Sequence, residues 1–280
     1  PWSAQPLWGS PKTKAPDADR PGDDEVLAQC RERIETHRKG DGVITVRRSD
    51  GRPLQGVEVG LEQLRHEFLF GANCFLFNRT GDPGLEREYR ERFAALLNYA
   101  TLGFYWGAYE REAGKPDYAY TDEAADWCCG RGIVCKGHPL VWDHPVSTPG
   151  WLPEDLDEVE RLSKQRVRDI VARFRDRIDI WDVVNEAAHL VDGASATRMA
   201  DLGRKMGVVT YVEQHLKAAR AVHPGARLIV NDYRVGPGFY TILEAMRQKG
   251  KLPFDAVGLQ SHMHNGPWPL WRVRAICDYF

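Results

Sequence analysis

Residues 178–186 read IDIWDVVNE, and this stretch decides the fold. A run of Ile, Trp and Val enters as a parallel strand and stops at a polar pair, Asn185-Glu186. The segment before it, 157–175, has a different period. Val159, Leu162, Ile170, Val171 and Phe174 share one helical face, with charged residues elsewhere. Helix followed by strand is half of a βα repeat.

Outward from this unit the rhythm repeats. Short apolar runs that predict strands lie at 68–75, 99–104, 133–140, 178–186, 226–233 and 256–263. Helical patterns fall between them near 85–97, 121–131, 157–175, 208–222 and 239–249, and another begins near 268. Six βα units in succession predict a parallel sheet. A doubly wound open sheet would carry a Gly-rich phosphate loop at its switch point, and no GxGxxG or Walker sequence is present. A (β/α)8 TIM barrel instead places polar residues at the carboxyl ends of many strands. Here those ends read Asn73, His138, Asn185-Glu186, Asn231-Asp232, and Gln260 with His262. The expected fold is therefore α/β, an incomplete (β/α)8 TIM barrel with about six units, over residues 68–280.

Residues 1–24 are rich in Pro, Asp and Lys and read as a linker or disordered arm; 25–39 predict a short charged helix, so 1–40 form one segment. Residues 41–67 alternate Val43, Thr45 and Arg47 with Ile44, Val46 and Arg48, and turn at Asp50-Gly51, which predicts a small β-hairpin module. The chain has 280 residues, of which 42% are hydrophobic, enough to bury a sizeable core. A formal net charge of −2 argues against a nucleic-acid partner. No apolar run is long enough to span a bilayer, which argues against a membrane partner. The six cysteines lack CxxC spacing, so they predict buried free thiols rather than a metal site. The chain starts at Pro1 and stops at Phe280 within an apolar, helix-compatible stretch, which reads as a sequence cut at both ends.

Three further constellations accompany Asn185-Glu186. A carboxylate at a barrel mouth, beside an amide and near aromatics, is partly desolvated, and desolvation favours the protonated form that a general acid needs. The alternative is a strand-end Glu that caps the next helix or pairs with an Arg. Strict alternation would send Asn185 and Glu186 to opposite faces, so both reach one cleft only if the strand ends or bulges there. In KGHPLVWDH, His138 and Trp142 share a parity; imidazole can bind sugar hydroxyls and indole can stack on a pyranose, or both can be core. In GLQSHMH, Gln260 and His262 share a parity and could bind hydroxyls or orient a carboxylate, or bond the neighbouring backbone. His262 with His264 also has the look of a metal pair, but no matching carboxylate motif accompanies it. In LIVNDY, Asp232 reads as a buttress rather than a reactant.

GHPLVWD (137–143), WDVVNEA (181–187), NDY (231–233) and GLQSHMH (258–264), in this order and spacing, resemble glycoside hydrolase family 10, whose best-known activity is endo-1,4-β-xylanase. The resemblance covers about residues 43–280. It implies a retaining double displacement with two carboxylates about 5–5.5 Å apart. Glu186 matches the acid/base residue. Asn185, His138, Trp142 and Gln260 match contacts to the sugar beside the scissile bond, and His262 matches a residue that hydrogen-bonds the nucleophile. No metal or organic cofactor is implied. The implied partner is a polysaccharide, xylan or a related β-glycan, and a polymer substrate implies a secreted or periplasmic protein.

The chain departs from the family pattern in three places. The nucleophile of the family is a Glu on a seventh strand, and no residue here matches it, so the chain alone is expected to be inactive. Tyr105 stands where a Lys is usual, although Trp106 and Glu110 keep the Trp-to-Glu spacing. Asp143, followed by His144, stands where a second His is usual. Two other functions stay open: a catalytically silent glycan-binding relic, and a retaining glycanase for a different sugar.

Overall fold

The computed structural model describes residues 21–64, 66–192, 195–250, 252–263 and 266–280. The arm expected at 1–24 lies almost wholly outside these residues, as does His264. The described chain forms two compact units, residues 69–262 and residues 21–68 with 263–280.

The larger unit is built on six parallel strands: β1 (Gly71–Asn73), β2 (Tyr99–Gly103), β3 (Val134–His138), β4 (Ile180–Asn185), β5 (Arg227–Asp232) and β6 (Ala256–Leu259). Their order in the sheet is their order in the chain. A doubly wound sheet must reverse its order at a switch point, and none occurs here, so the sheet is the incomplete barrel expected from the sequence. Each strand is shorter than its apolar run, because the flanking residues leave the ladder to form the turns at its ends. β1 is the extreme case. It keeps three residues, pairs with β2 alone among the described strands, and is exposed throughout.

The helices are α2 (Pro83–Leu96), α3 (Trp106–Tyr109), α4 (Ala119–Cys129), α5 (Leu156–Phe174), α6 (Arg198–Met206), α7 (Val208–Val222) and α8 (Pro237–Gln248). Local chemistry sets their starts. Asp82 caps α2 by accepting from the Leu85 amide at 2.8 Å, with Pro83 in the first turn. Asp155 caps α5 and Thr197 caps α6. The sequence reading missed α3 and α6: four and nine residues are too few to display a helical period. α5 buries the stripe predicted for it, with Val159, Ile170, Val171 and Phe174 closed from solvent. Phe104 then packs edge-on against Phe174 at 5.1 Å and Trp181 at 5.2 Å, joining helix layer to sheet.

The smaller unit holds α1 (Asp23–His37), α9 (Leu270–Tyr279) and the segment expected as a hairpin. Asp23 accepts from the Leu270 amide at 2.8 Å, and Arg274 bonds Gln29. The hairpin contracts to one antiparallel bridge, Arg47 with Pro53, around Gly51 at φ +86°. Val43 and Ile44 on its two alternating faces are both exposed, so no buried face extends the pairing. The cysteines are all unbridged, but only Cys74, Cys128 and Cys135 are buried; Cys129 and Cys277 are exposed, which corrects the expectation of uniformly buried thiols.

Candidate active site

β4 carries six buried residues and one irregularity. Its register with β5 slips between Asp182 and Val184. The slip breaks the regular alternation of the pleat between Asp182 and Asn185. The strand ends at Asn185, and Glu186 takes φ +59°. That left-handed conformation costs about 1–2 kcal/mol in a non-glycine residue. It is held by the Glu186 amide, which donates to the Asn231 carbonyl at 2.7 Å. It is also held by Asp232, which accepts from the Ala188 amide at 2.9 Å and the Arg234 amide at 2.8 Å. Asp232 therefore buttresses the turn that aims Glu186. The bulge and the turn together resolve the alternation problem, and Asn185 and Glu186 both reach the cleft.

Both carboxylate oxygens of Glu186 accept hydrogen bonds. Trp142 Nε1 donates to Oε2 at 3.0 Å, and Gln260 Nε2 donates to Oε1 at 3.0 Å. Gln260 Nε2 also donates to Asn185 Oδ1 at 3.0 Å, and Asn231 Nδ2 donates to the same oxygen at 2.8 Å. His262 Nε2 meets Gln260 Oε1 at 2.6 Å. Glu186, Trp142, Asn185, Gln260 and His262 thus form one continuous network. A Cβ on Gly258 would lie 2.5 Å from Asn231 Oδ1, so glycine on β6 leaves room for that amide.

His138 is not in that network. Its Nδ1 donates to Asp182 Oδ2 at 2.7 Å, and Lys136 Nζ reaches the same oxygen at 2.8 Å. Burial of Asp182 would raise its pKa, but the bond from His138 and the charge of Lys136 outweigh burial and hold the carboxyl below its ordinary value. The ring of Tyr105 connects the two groups, 6.0 Å from both His138 and Trp142. His144 stacks on Trp142 at 4.5 Å.

A second buried layer lies behind Glu186. Burial pushes Asp232 up to about 6, against the pull of the two backbone amides it accepts from. His189 sits in the 3-10 turn Ala187–Asp192 and pairs with Asp143 Oδ1 at 2.8 Å. Asp143, the residue standing where a His was expected, therefore has a histidine partner from the next strand's loop. Trp106 and Glu110 have a structural relation: the indole of Trp106 is buried and donates to Glu110 Oε2 at 2.8 Å.

The sequence reading left Lys136, Asp182 and Asn231 out of the site. Asp182 carried a usable signal, since a carboxylate inside an otherwise apolar buried strand requires a partner. Lys136 shares parity with His138 two residues on. Nothing in the sequence marked His189 as the partner of Asp143.

The chain is similar to known proteins over most of its length. The model of Glycosyl hydrolase family 10 matches residues 85–277. Endo-1,4-beta-xylanase B of Thermotoga neapolitana is 29% identical over 187 residues, covering 63% of this chain and 52% of the relative. Endo-1,4-beta-xylanase 3 of Hypocrea jecorina is 27% identical over 205 residues, covering 68% and 56%. The chain spans about a quarter to a little over half of the length of the curated relatives it matches. Among solved structures, GH10 from Paenibacillus barcinonensis superposes with a TM-score of 0.63 at 25% identity, covering 76% of this chain and 65% of that one. A thermostable mutant of a xylanase from Cellvibrio japonicus gives 0.64 at 23% identity and the same coverage, a likeness of fold.

Proposed function

The chain belongs to glycosyl hydrolase family 10, and we propose that it carries the acid/base half of a retaining hydrolase acting on β-1,4-xylosidic bonds in xylan or a related β-glycan. One observation carries this reading: Glu186 turns out of the end of β4 into a ring of Trp142, Gln260 and Asn185 donors and acceptors. A carboxyl group held so can protonate the leaving glycosidic oxygen, then take the proton of the incoming water. Such acid–base assistance is worth about 10²–10⁴-fold. His138, Trp142, Asn185, Gln260 and His262 are assigned to sugar binding, with His262 and Gln260 bracing the carboxylates. The relatives carry the name endo-1,4-beta-xylanase, which supports xylan as substrate. A polymer that cannot enter a cell supports a secreted or periplasmic protein.

Double displacement needs a second carboxylate about 5–5.5 Å from the first. Three buried carboxylates on the neighbouring strands and loops are engaged otherwise. Asp143 is paired with His189, Asp182 with Lys136 and His138, and Asp232 is fully buried on two backbone amides. We therefore assign the nucleophile to sequence outside these 280 residues. The same engagement favours a second reading, a chain that binds glycan without turning it over.

Glu186→Ala in the full-length protein separates the two. Turnover of xylan is expected to collapse, while aryl glycosides with good leaving groups keep their first step and azide restores the second. Near-normal xylan turnover by the variant would remove Glu186 from the acid/base role. A full-length protein that binds but never cleaves establishes the second reading.

A further inference from the structure

We propose that Tyr105 reads the sugar bound beside Glu186 on the β2–β3 side of the cleft, and that this position takes a neutral pyranose and rejects a uronic acid. The inference rests on the glycanase reading above and adds to it the residue and the ligand class.

Tyr105 lies two residues past the end of β2 and is fixed by rings on three sides. Phe75 meets it edge-on at 6.0 Å and 79°, His138 at 6.0 Å and 84°, and Trp142 lies tilted at 6.0 Å and 57°. Gly103 makes the packing possible. A Cβ there would come within 3.3 Å of the Phe75 ring and 3.4 Å of the Tyr105 ring. The phenol is thus preorganised rather than a mobile surface side chain.

Its hydroxyl is uncommitted. Each neighbour spends polar atoms on the protein: Trp142 Nε1 on Glu186, Gln260 on Asn185, Glu186 and His262, His138 Nδ1 and Lys136 Nζ on Asp182. The Tyr105 hydroxyl has no hydrogen-bond partner among the described residues. Burial, then the charges of Glu186 and Asp182, hold its pKa above the ordinary phenol value, so it stays neutral and keeps its proton. A neutral O–H that both donates and accepts matches a sugar hydroxyl. The charges facing it are the carboxylates Glu186 and Asp182, and the cation on β3, Lys136, is held by Asp182. A uronate here would meet like charge without a partner, whereas a neutral ring meets only an aromatic wall and one hydroxyl.

The test is calorimetric binding to the protein with Glu186 intact, using thio-linked trisaccharides that resist cleavage. The probes are thio-linked xylotriose, thio-linked cellotriose, and the same cellotriose oxidised at its C6 positions to uronates. The neutral trisaccharides are expected to bind, and the uronate at least about tenfold more weakly. Adding Tyr105→Phe keeps the ring and removes the hydroxyl; it is expected to weaken neutral binding about three- to tenfold, the worth of one neutral hydrogen bond. An unchanged melting temperature shows that the fold is intact. Equal neutral affinities with Tyr and Phe overturn the role of Tyr105 and leave the glycanase reading standing. Equal affinity for the uronate overturns the neutral-ligand assignment. If neither neutral trisaccharide binds, the glycanase reading and this inference fall together.

Discussion

Trp142 Nε1 donates to Glu186 Oε2 at 3.0 Å, joining the loop after β3 to the residue that follows β4. This bond fixes which way the carboxylate points before any substrate arrives. Trp142→Phe keeps an aromatic surface and deletes the donor. A hydrogen bond to a charged group is worth about 1.5–3 kcal/mol, so kcat on xylan is expected to fall roughly ten- to a hundredfold. Steady-state kinetics of the full-length protein check this; an unchanged kcat with a raised KM would show that the indole only stacks.

Directly behind that bond lies another between the same two loops. His189 follows Glu186 by three residues, and its partner Asp143 follows Trp142 by one. Burial alone would lower the pKa of His189, but the Asp143 hydrogen bond and charge override it, helped by Asp232 and Glu186, and raise it above 6.5. A histidine raised in the folded state contributes stability that is fully present below its unfolded value and is lost as pH rises through the folded one. The melting temperature of the wild type is therefore expected to exceed that of His189→Gln most at acid pH, with the two curves converging above the ordinary histidine range. Thermal melts across roughly pH 5 to 9 decide it. Parallel curves would mean that the pair contributes nothing through charge.

Arg166 on α5 is buried and donates to the carbonyls of Leu140 and Phe104, which flank the Trp142 loop and Tyr105. Burial pushes its pKa down to about 10, so it stays charged at neutral pH. Arg166→Met fills similar volume but leaves both carbonyls unpaired, each costing about 1–3 kcal/mol. A loss of roughly 2–4 kcal/mol in denaturant unfolding is expected, partly offset by no longer burying a charge. A change below about 0.5 kcal/mol, the range of an ordinary surface substitution, would contradict the bracing role.

The alternation of apolar runs and amphipathic helices determined the parallel barrel by itself, because period and burial are local properties of sequence. Five of the six residues expected in the cleft meet in one hydrogen-bonded network for the same reason: strand ends in a barrel converge on one face, so a polar residue at a strand end is already placed. What the sequence could not determine was the aim of each side chain. Alternation put Asn185 and Glu186 on opposite faces, and only the bulge in β4 and the positive φ of Glu186 bring them together. His138 was expected beside Trp142, yet it turns to Asp182, because a carboxylate buried in β4 must find donors and only the folded sheet brings Lys136 and His138 to it. The pairing of Asp143 with His189 spans 46 residues. Partners across such a separation leave no periodic trace in the chain; the packing of one loop against the next chose them.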